Sequence, residues 1–277
     1  MRKINIDRSF SIVIIAIACL LTACAPHQED VDTTNLQQLQ GMTAPTTKNA
    51  EAGSLINTLR TKALEEEALS LGAQAGLASA SQEIDGNLEK NRQQLETLFN
   101  FNGMILTHSV LPPVLVEGDD SVNLADPDTI RIADKNYKIL KQARFVTAPP
   151  NWRDYLWMPF EKPAVPNKVL LPKTADERKG WSRGIRIGWD KGIEQASSIF
   201  QQNLARLKRD YKGMILYRKL LQEKMITPPF VSRTELGVTG DSSNMRINDQ
   251  VLRITEHPQL QTDSNGWKAI VVKQNDN

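Results

Sequence analysis

The feature that most constrains the fold is an internal repeat. Four short segments recur in the same order in the two halves of the chain, at offsets of 110 to 116 residues. The matched segments begin at Gly72 and Gly184, Gly103 and Gly213, Pro112 and Pro228, and Arg131 and Arg246. Such self-similarity indicates one structural unit present twice, with the copies packed together. We therefore predict related units at about residues 53–145 and 174–260, joined by a connector at 146–173.

Each unit is predicted to begin with a long helix. Apolar residues recur at steps of three and four over Leu64–Leu98 in the first unit and over Ile185–Met214 in the second, which is helical periodicity. Thr174 and Glu177 match a capping box at the start of the second helix. A Pro-Pro pair follows each helical stretch and ends it, because proline removes a backbone donor and disfavours helix in the preceding residue.

A β-hairpin is predicted after each proline pair. In the first unit Ile130 and Ile132 alternate with polar neighbours, a turn is placed around residues 134–136, and Tyr137 and Ile139 resume the alternation,. The second unit repeats this pattern with Met245, Ile247, Leu252 and Ile254. The predicted fold class is α+β, with two related helix plus β-hairpin units packed as one compact domain at 53–277.

The N-terminal residues have the layout of a lipoprotein signal peptide at 1–23. Basic residues precede an apolar run over Phe10–Leu21, which is shorter than the roughly 20 residues of a membrane-spanning helix. The run ends in Leu21-Thr-Ala-Cys24, the pattern that bacterial lipoprotein processing recognises. We therefore predict cleavage after Ala23 and lipidation of Cys24; an ordinary signal peptide with an incidental cysteine is the alternative. Ala25 in the next position favours the periplasmic face of the outer membrane.

Residues 24–52 are predicted to form a lipidated, flexible tether, because they contain few large apolar residues,. Cleavage removes three of the 34 basic and one of the 32 acidic residues, leaving 31 of each. A neutral mature chain gives no reason to expect nucleic-acid binding. Cys19 leaves with the signal peptide and Cys24 is lipidated, so no thiol remains for a disulfide.

A catalytic or metal-binding pattern is not recognisable in the sequence. The three histidines, His27, His108 and His257, lack metal-ligand spacing,, and we predict no enzyme activity, cofactor or metal. The best remaining candidate is an acidic loop, either for calcium or for paired-carboxylate hydrolysis, although a solvated loop explains the same composition. Its residues are Glu117, Asp119, Asp120, Asp126 and Asp128.

The connector holds most of the large aromatic residues. Trp152, Tyr155 and Trp157 follow Pro149 and Pro150. These rings either pack the connector onto the two units or form an exposed anchor for a partner, since aromatic residues dominate interface hot spots. The sequence leaves both interpretations open.

Several long strings carry a family resemblance. They are Leu71-Gly-Ala-Gln-Ala-Gly-Leu77, Asn123-Leu-Ala-Asp126, Pro149-Pro-x-Trp-Arg-x-Tyr-Leu-Trp157, Leu170-Leu-Pro-Lys-Thr174, Gly213-Met-Ile-Leu-Tyr-Arg-Lys-Leu-Leu221, Leu236-Gly-Val-Thr-Gly-Asp241 and Val251-Leu-Arg-Ile-Thr255. With these strings the sequence resembles the DotC lipoprotein family of type IVB secretion systems, which includes the Dot/Icm apparatus and its relatives in conjugative plasmids.

The resemblance implies a structural, non-enzymatic subunit of the outer-membrane core complex. Members of that family act with DotD-like and DotH-like subunits in a ring of many copies that transfers effector proteins or conjugative DNA. Two other functions stay open. One is an outer-membrane-anchored enzyme acting on the cell wall, suggested by the predicted address and the acidic loop. The other is a periplasmic carrier that uses the space between the two units as an apolar pocket.

Overall fold

Two long helices and two long β-hairpins dominate the fold. The computed structural model describes residues 32–44, 54–126 and 128–268. The helices in these ranges are α1 (Leu36–Gly41), α2 (Ser54–Lys90), α3 (Arg92–Leu98), α4 (Arg153–Leu156) and α5 (Ala175–Gln222). The strands are β1 (Val110–Leu111), β2 (Val114–Asp126), β3 (Thr129–Lys141), β4 (Arg144–Phe145), β5 (Phe230–Gly240) and β6 (Met245–Glu256). The predicted α+β class is confirmed.

The strands form three separate antiparallel pairs. β2 pairs with β3, β5 pairs with β6, and the short strands β1 and β4 pair with each other. The capping box predicted at the start of α5 is present, because Thr174 Oγ1 accepts from the Glu177 amide and the Glu177 carboxylate accepts from the Thr174 amide, each at 3.2 Å. None of the helices in the described ranges combines the length and apolarity that crossing a membrane requires.

The helices α2 and α5 run parallel and meet along faces of glycine. A Cβ on Gly72 would clash with the Ile185 carbonyl oxygen, and a Cβ on Gly188 would clash with the Leu69 carbonyl oxygen. One turn further along, Gly76 and Gly192 meet the Trp189 and Ala73 carbonyl oxygens in the same way. Each glycine costs about 1 kcal/mol in a helix interior, and backbone contact between the helices offsets that cost.

These contacts reveal an approximate twofold relation between the units. Gly72 of α2 contacts Ile185 of α5. The residue 116 positions after Gly72 is Gly188, the residue 116 positions before Ile185 is Leu69, and these two are also in contact. The sequence comparison instead matched Gly72 with Gly184. The structure corrects that alignment by one helical turn, and the corrected offset equals the offset of the two Pro-Pro pairs.

The hairpins repeat in register at their bases, as well as in order. Val114 pairs with Lys141 before a register shift in the first hairpin, and Phe230 pairs with Glu256 before a register shift in the second. The backbone bonds beneath them also repeat, since the Val146 amide donates to Ser109 (3.0 Å) and the Gln261 amide donates to Met225 (2.8 Å). The prediction of two related helix plus β-hairpin units is confirmed.

The second matched pair of the sequence comparison is wrong. Gly103 lies in a 3-10 turn with open space where a Cβ would point, whereas Gly213 lies inside α5 against the Leu115 carbonyl. The two Gly-Met-Ile-Leu segments have different structures, because the helical part of the first unit ends with α3 at Leu98 and α5 of the second unit continues to Gln222.

The turns of both hairpins lie elsewhere than predicted. Residues 134–136 are part of β3, which pairs with the middle of β2 at Gly118 and Asp119, and the last pair before the hairpin reverses is Asp126 with Thr129. In the second hairpin β6 runs without a break, and the turn at 241–244 is held by the Asp241 carboxylate, which accepts from the Ser243 and Asn244 amides. In β3 the alternation changes phase because the apolar face differs between its two ends, whereas in β6 the change coincides with a register shift beside Asn248, whose φ is 57°.

The flexible-tether prediction for 24–52 is wrong for residues 32–44. Leu39 is fully buried, Met42 and Ala44 are nearly so, and all three join the cluster around Trp181. The Trp181 Nε1 donates to the Leu39 carbonyl at 2.9 Å. A few apolar residues suffice here because α5 provides the surface that buries them. The signal peptide, Cys24 and the other tether residues lie outside the described residues.

The core forms three clusters along α5. The first joins α1, α2 and the start of α5 around Trp181. The second lies at the middle of α5, where Leu207 and Met214 contact Leu88, Phe101 and residues of the connector. The third, around Tyr217 and Leu220, packs against the base of the first hairpin.

Candidate interaction surface

The two long hairpins project from the helices, and we call them arm 1 (114–141) and arm 2 (230–256). Each is a two-stranded sheet, and within the described residues neither pairs with a further strand. Isolated two-stranded hairpins are marginally stable in water, and unpaired strand edges are templates for pairing with another chain. The arms are therefore the parts of this molecule most suited to contact a partner.

Both arms expose apolar side chains near their tips, at equivalent positions. Arm 1 exposes Val122, Ile130 and Ile132, by 66%, 58% and 74%. Arm 2 exposes the counterparts Val238, Met245 and Ile247, by 66%, 68% and 66%. In arm 1 Val122 lies directly opposite Ile132, so their side chains share one face of the sheet. We call these two sets the tip patches. Exposed apolar patches mark interaction sites in soluble domains.

The bases of the arms differ. In arm 1, Val114 and Leu115 are 1% exposed and pack on α5, where Gly213 lets the β2 backbone approach the helix. Tyr137 and Ile139 join the same cluster. In arm 2, no residue of β5 or β6 is buried.

The difference follows from the length of the helices. Arm 1 rests on the last part of α5, at Gly213 and Tyr217, in a stretch where the first unit comes to the end of its helix. Their counterparts 116 positions earlier are Thr97, at the end of α3, and Phe101, which follows that helix. Among the described residues, therefore, no helix lies beneath the base of arm 2 as α5 lies beneath the base of arm 1.

A buried carboxylate fastens arm 1 to α5. Asp210 is 1% exposed and accepts from Lys141 Nζ at 2.6 Å and from Arg209 at 2.9 Å. Burial raises the pKa of Asp210, but the hydrogen bonds and charges of Lys141 and Arg209 outweigh burial and hold the pKa below its usual value,. The Tyr155 hydroxyl donates to the same carboxylate at 3.3 Å. Burial, followed by the charge of Asp210, raises the pKa of Tyr155 to about 12.

This ion-paired cluster joins three elements. Lys141 ends β3, Asp210 lies in α5, and Tyr155 belongs to the connector helix α4. Each charged group has an opposite partner, and the phenol is held protonated, so the cluster is suited to fixing geometry and not to proton transfer. Sequence reasoning missed Asp210, which lies between Leu207 and Tyr211 on the apolar side of α5 and is a break in that stripe.

Comparison with known proteins identifies the family of this chain. A family model described as type IV secretory system, conjugal DNA-protein transfer, matches residues 58–269, which include both arms, α5 and all but the first four residues of α2. The chain belongs to this type IV secretion family. No curated protein matches the chain.

The acidic loop predicted in this type IV secretion protein is not a loop. Glu117 and Asp119 lie in β2, and Glu117 accepts from Lys135 Nζ at 2.8 Å and from the Tyr137 hydroxyl at 3.0 Å. These hydrogen bonds lower the pKa of Glu117. Asp120 and Asp126 belong to the same strand, and Asp128 lies at the turn. Within the described ranges, no group of three or more His, Cys, Asp or Glu side chains is arranged to hold a metal ion.

The connector aromatics of the type IV secretion protein divide between core and surface. Trp152 is 1% exposed and belongs to the middle core cluster. Tyr155 is half-buried, stacks on Phe101 and bonds Asp210. Trp157 is 42% exposed. Of the two interpretations left open by the sequence, packing onto the units holds for Trp152, because the proline-rich connector turns this ring inward, and only Trp157 of the three has an exposed ring.

Proposed function

We propose that this protein is an outer-membrane lipoprotein of a type IVB secretion core complex, similar to DotC, and that it holds DotH-like and DotD-like subunits in a multi-copy ring. In this proposal it is a structural subunit without enzymatic activity. The family to which the chain belongs supports a role in type IV secretion. The observation that carries the structural role is the pair of arms with exposed apolar tips and unpaired edges.

Arm 2 is the stronger candidate for a partner contact. Arm 1 demonstrates what such a hairpin binds, because its base packs on a helix that presents glycine beside Tyr217 and Leu220. The corresponding residues of arm 2, Val231 and Ile254, are half-exposed. We propose that a helix of a neighbouring subunit occupies this base, and that a strand edge or tip patch completes the contact.

The carrier alternative finds little room in this geometry. Between the two units, the Gly72 and Gly188 faces bring α2 and α5 into backbone contact. A ligand cannot enter that stretch without separating the helices. No observation among the described residues favours a cell-wall enzyme, whose suggested carboxylates lie along β2 with Glu117 engaged by Lys135.

The test is assembly of the complex in cells that carry the secretion system. We expect Met245→Ser with Ile247→Ser, and separately Val231→Asp with Ile254→Asp, to leave the protein in the outer membrane while DotH-like and DotD-like subunits no longer copurify with it. The matched control is Leu59→Ser, since Leu59 is an exposed apolar residue (70%) on α2 and away from the arms. Normal recovery of both partners with the two arm variants would overturn the proposed role of arm 2.

Membrane attachment is tested separately. Cys24→Ala removes the thiol that the lipid modifies, and we expect the protein and its partners to be lost from the outer membrane. Mass spectrometry of the wild-type protein should find acyl chains on an N-terminal Cys24. An unmodified thiol on freely diffusing protein would contradict the proposed anchor.

A further inference from the structure

A shallow groove on the first half of α5 is lined by four cations. Arg178, Lys179, Arg183 and Arg186 border it together with Gln40, Ala175 and Ser182. All four basic side chains are exposed, and no carboxylate lines the groove. We call this set the cationic groove. Its concentration of one charge sign contrasts with the balance of the predicted mature chain.

The charge of the groove is largely uncompensated. Among the described residues Arg183 and Arg186 form no ion pair, and Arg178 donates to the backbone carbonyl of Lys173 at 3.3 Å. Lys179 approaches Asp176 at 3.9 Å, but both side chains are more than three-quarters exposed, so the pair is weak. The groove also begins at the N-terminal end of α5, where the helix dipole is positive. The dipole therefore adds to the positive electrostatic potential there and does not stabilise the cations.

The groove lies beside the segment that leads back to Cys24. Gln40 Nε2 donates to the Ser182 carbonyl at 3.3 Å, and the adjacent Leu39 carbonyl accepts from Trp181. This segment is described from Asp32 onward. Asp32 lies eight positions after Cys24, so the two are at most about 29 Å apart when the chain between them is fully extended. A lipid on Cys24 therefore keeps this side of α5 near the bilayer.

We propose that the cationic groove binds the phosphate headgroups of anionic phospholipids in the leaflet that holds the Cys24 acyl chains. This inference rests on the proposed lipidation. Guanidinium groups bind phosphate oxygens in a bidentate manner, and anionic surfaces attract basic side chains within a Debye length of about 8 Å. The contact fixes which side of the domain faces the membrane and leaves the arms to point toward partners.

The experiment uses the mature lipoprotein purified from cell envelopes and reconstituted into vesicles. Ala175→Cys places a fluorophore at the groove, and it is the sole free thiol because Cys24 carries lipid in this proposal. Vesicles of phosphatidylcholine, with or without one part in three of phosphatidylglycerol, carry a headgroup quencher. We expect quenching with phosphatidylglycerol and little without it.

Arg183→Gln with Arg186→Gln should abolish the quenching. Each basic residue near an anionic surface contributes about fivefold to binding, so the pair should weaken the contact about thirtyfold. The matched control is Lys208→Gln with Arg218→Gln, two exposed cations of the same helix, which lie at least about 33 Å beyond Arg186,. The control removes the same charge and should keep the quenching.

The outcomes separate the two proposals. If the protein floats with the vesicles but the fluorophore is quenched equally with both lipids, or equally in both double variants, the headgroup contact is wrong and the anchor stands. If the protein does not float with vesicles of either composition, the lipid anchor itself is wrong. Quenching that requires phosphatidylglycerol, Arg183 and Arg186 supports the inference.

Discussion

Arm 1 and arm 2 have the same register shift at the start of their first strand and equivalent exposed tips, but they differ in the burial of their bases. Leu115 of arm 1 is 1% exposed on α5, whereas no residue of either strand in arm 2 is buried. The repeat produced two hairpins of one kind, and because α3 ends at Leu98, one of them has no helix beneath it within the part of the chain that the structure describes. Burial of a hairpin is thus decided by a distant element and not by the hairpin itself.

The largest test of this difference is a matched truncation at the two bases. Leu115→Ala should lower the free energy of unfolding by about 3 kcal/mol, because a buried side chain is removed from a packed cluster. Its counterpart Val231→Ala, at a half-exposed site, should cost less than about 1 kcal/mol. Urea unfolding followed by circular dichroism measures both. Equal losses would show that arm 2 is already docked in the isolated protein.

A second test closes the space that admits arm 1. A Cβ at Gly213 meets the Leu115 backbone and a Val114 methyl group, so Gly213→Ala should cost about 2.5 kcal/mol through overpacking. The control is Gly86→Ala, since Gly86 of α2 has open space around its Cβ position and should gain up to about 1 kcal/mol from helix propensity. A thermal melt that shows no loss for Gly213→Ala would mean that arm 1 is not held against α5.

The stability that the Asp210 cluster contributes at the base of arm 1 should depend on pH. The folded-state pKa of Asp210 is depressed, so its contribution is present above the unfolded value of about 3.9 and is lost as pH falls through the folded pKa. Asp210→Asn should cost about 2 kcal/mol at neutral pH, in the range of hydrogen bonds to charged groups. Unfolding measured from pH 7 to pH 3 should show the difference shrinking below pH 4.

A difference in the free energy of unfolding between Asp210→Asn and the wild type that stays constant across that range would contradict an ionised Asp210.

Backbone hydrogen exchange distinguishes the two arms further. Protection at the base of arm 1, where Lys141 joins Asp210, should fall in the variant, and protection in arm 2 should not change, because arm 2 has no contact with this cluster.

The smallest expected effect is at the tip patches. Ile132→Ser and Ile247→Ser remove side chains that are 74% and 66% exposed, so each should change the free energy of unfolding by less than about 0.5 kcal/mol. The two arms should behave alike here, in contrast to their bases. A loss above 1.5 kcal/mol, about the value of a buried side chain, would show that the tip is packed within the free protein and is not available to a partner.

Much of the fold was readable from local patterns. The capping box at Thr174 depends on residues that are close together in the chain, and the structure contains it. The same holds for the strands, whose alternation is local. The Pro-Pro pairs were predicted to end the helices, and that prediction is wrong: α3 ends at Leu98 and α5 at Gln222, and the pairs stand directly before β2 and β5. The misplaced turn at 134–136 came from one assumption, that a change in the phase of alternation means a reversal of the chain. In β3 the change means that the apolar face differs between tip and base.

Other features depended on residues far apart in sequence. Residues 32–44 have the composition of a tether, and their order comes from Trp181 and its neighbours more than a hundred positions later. In the sequence Asp210 is only a polar residue within an apolar stripe. Its role depends on Lys141 and Tyr155, which the fold brings within hydrogen-bond distance. Trp152 and Trp157 lie five residues apart in the connector, and the direction in which the connector turns buries one ring and exposes the other.

The sequence by itself determined the elements, their order and their duplication, because propensity, capping and alternation act over a few residues. The tertiary structure alone decided the register of the two helices, the pairing partner of Asp210 and the fate of each arm. These three features depend on which surfaces come into contact. The glycine faces at Gly72 and Gly188, for example, fix the position of contact between α2 and α5 only when the two helices pack together. Two similar hairpins therefore end in different environments because burial is a property of the pair of surfaces.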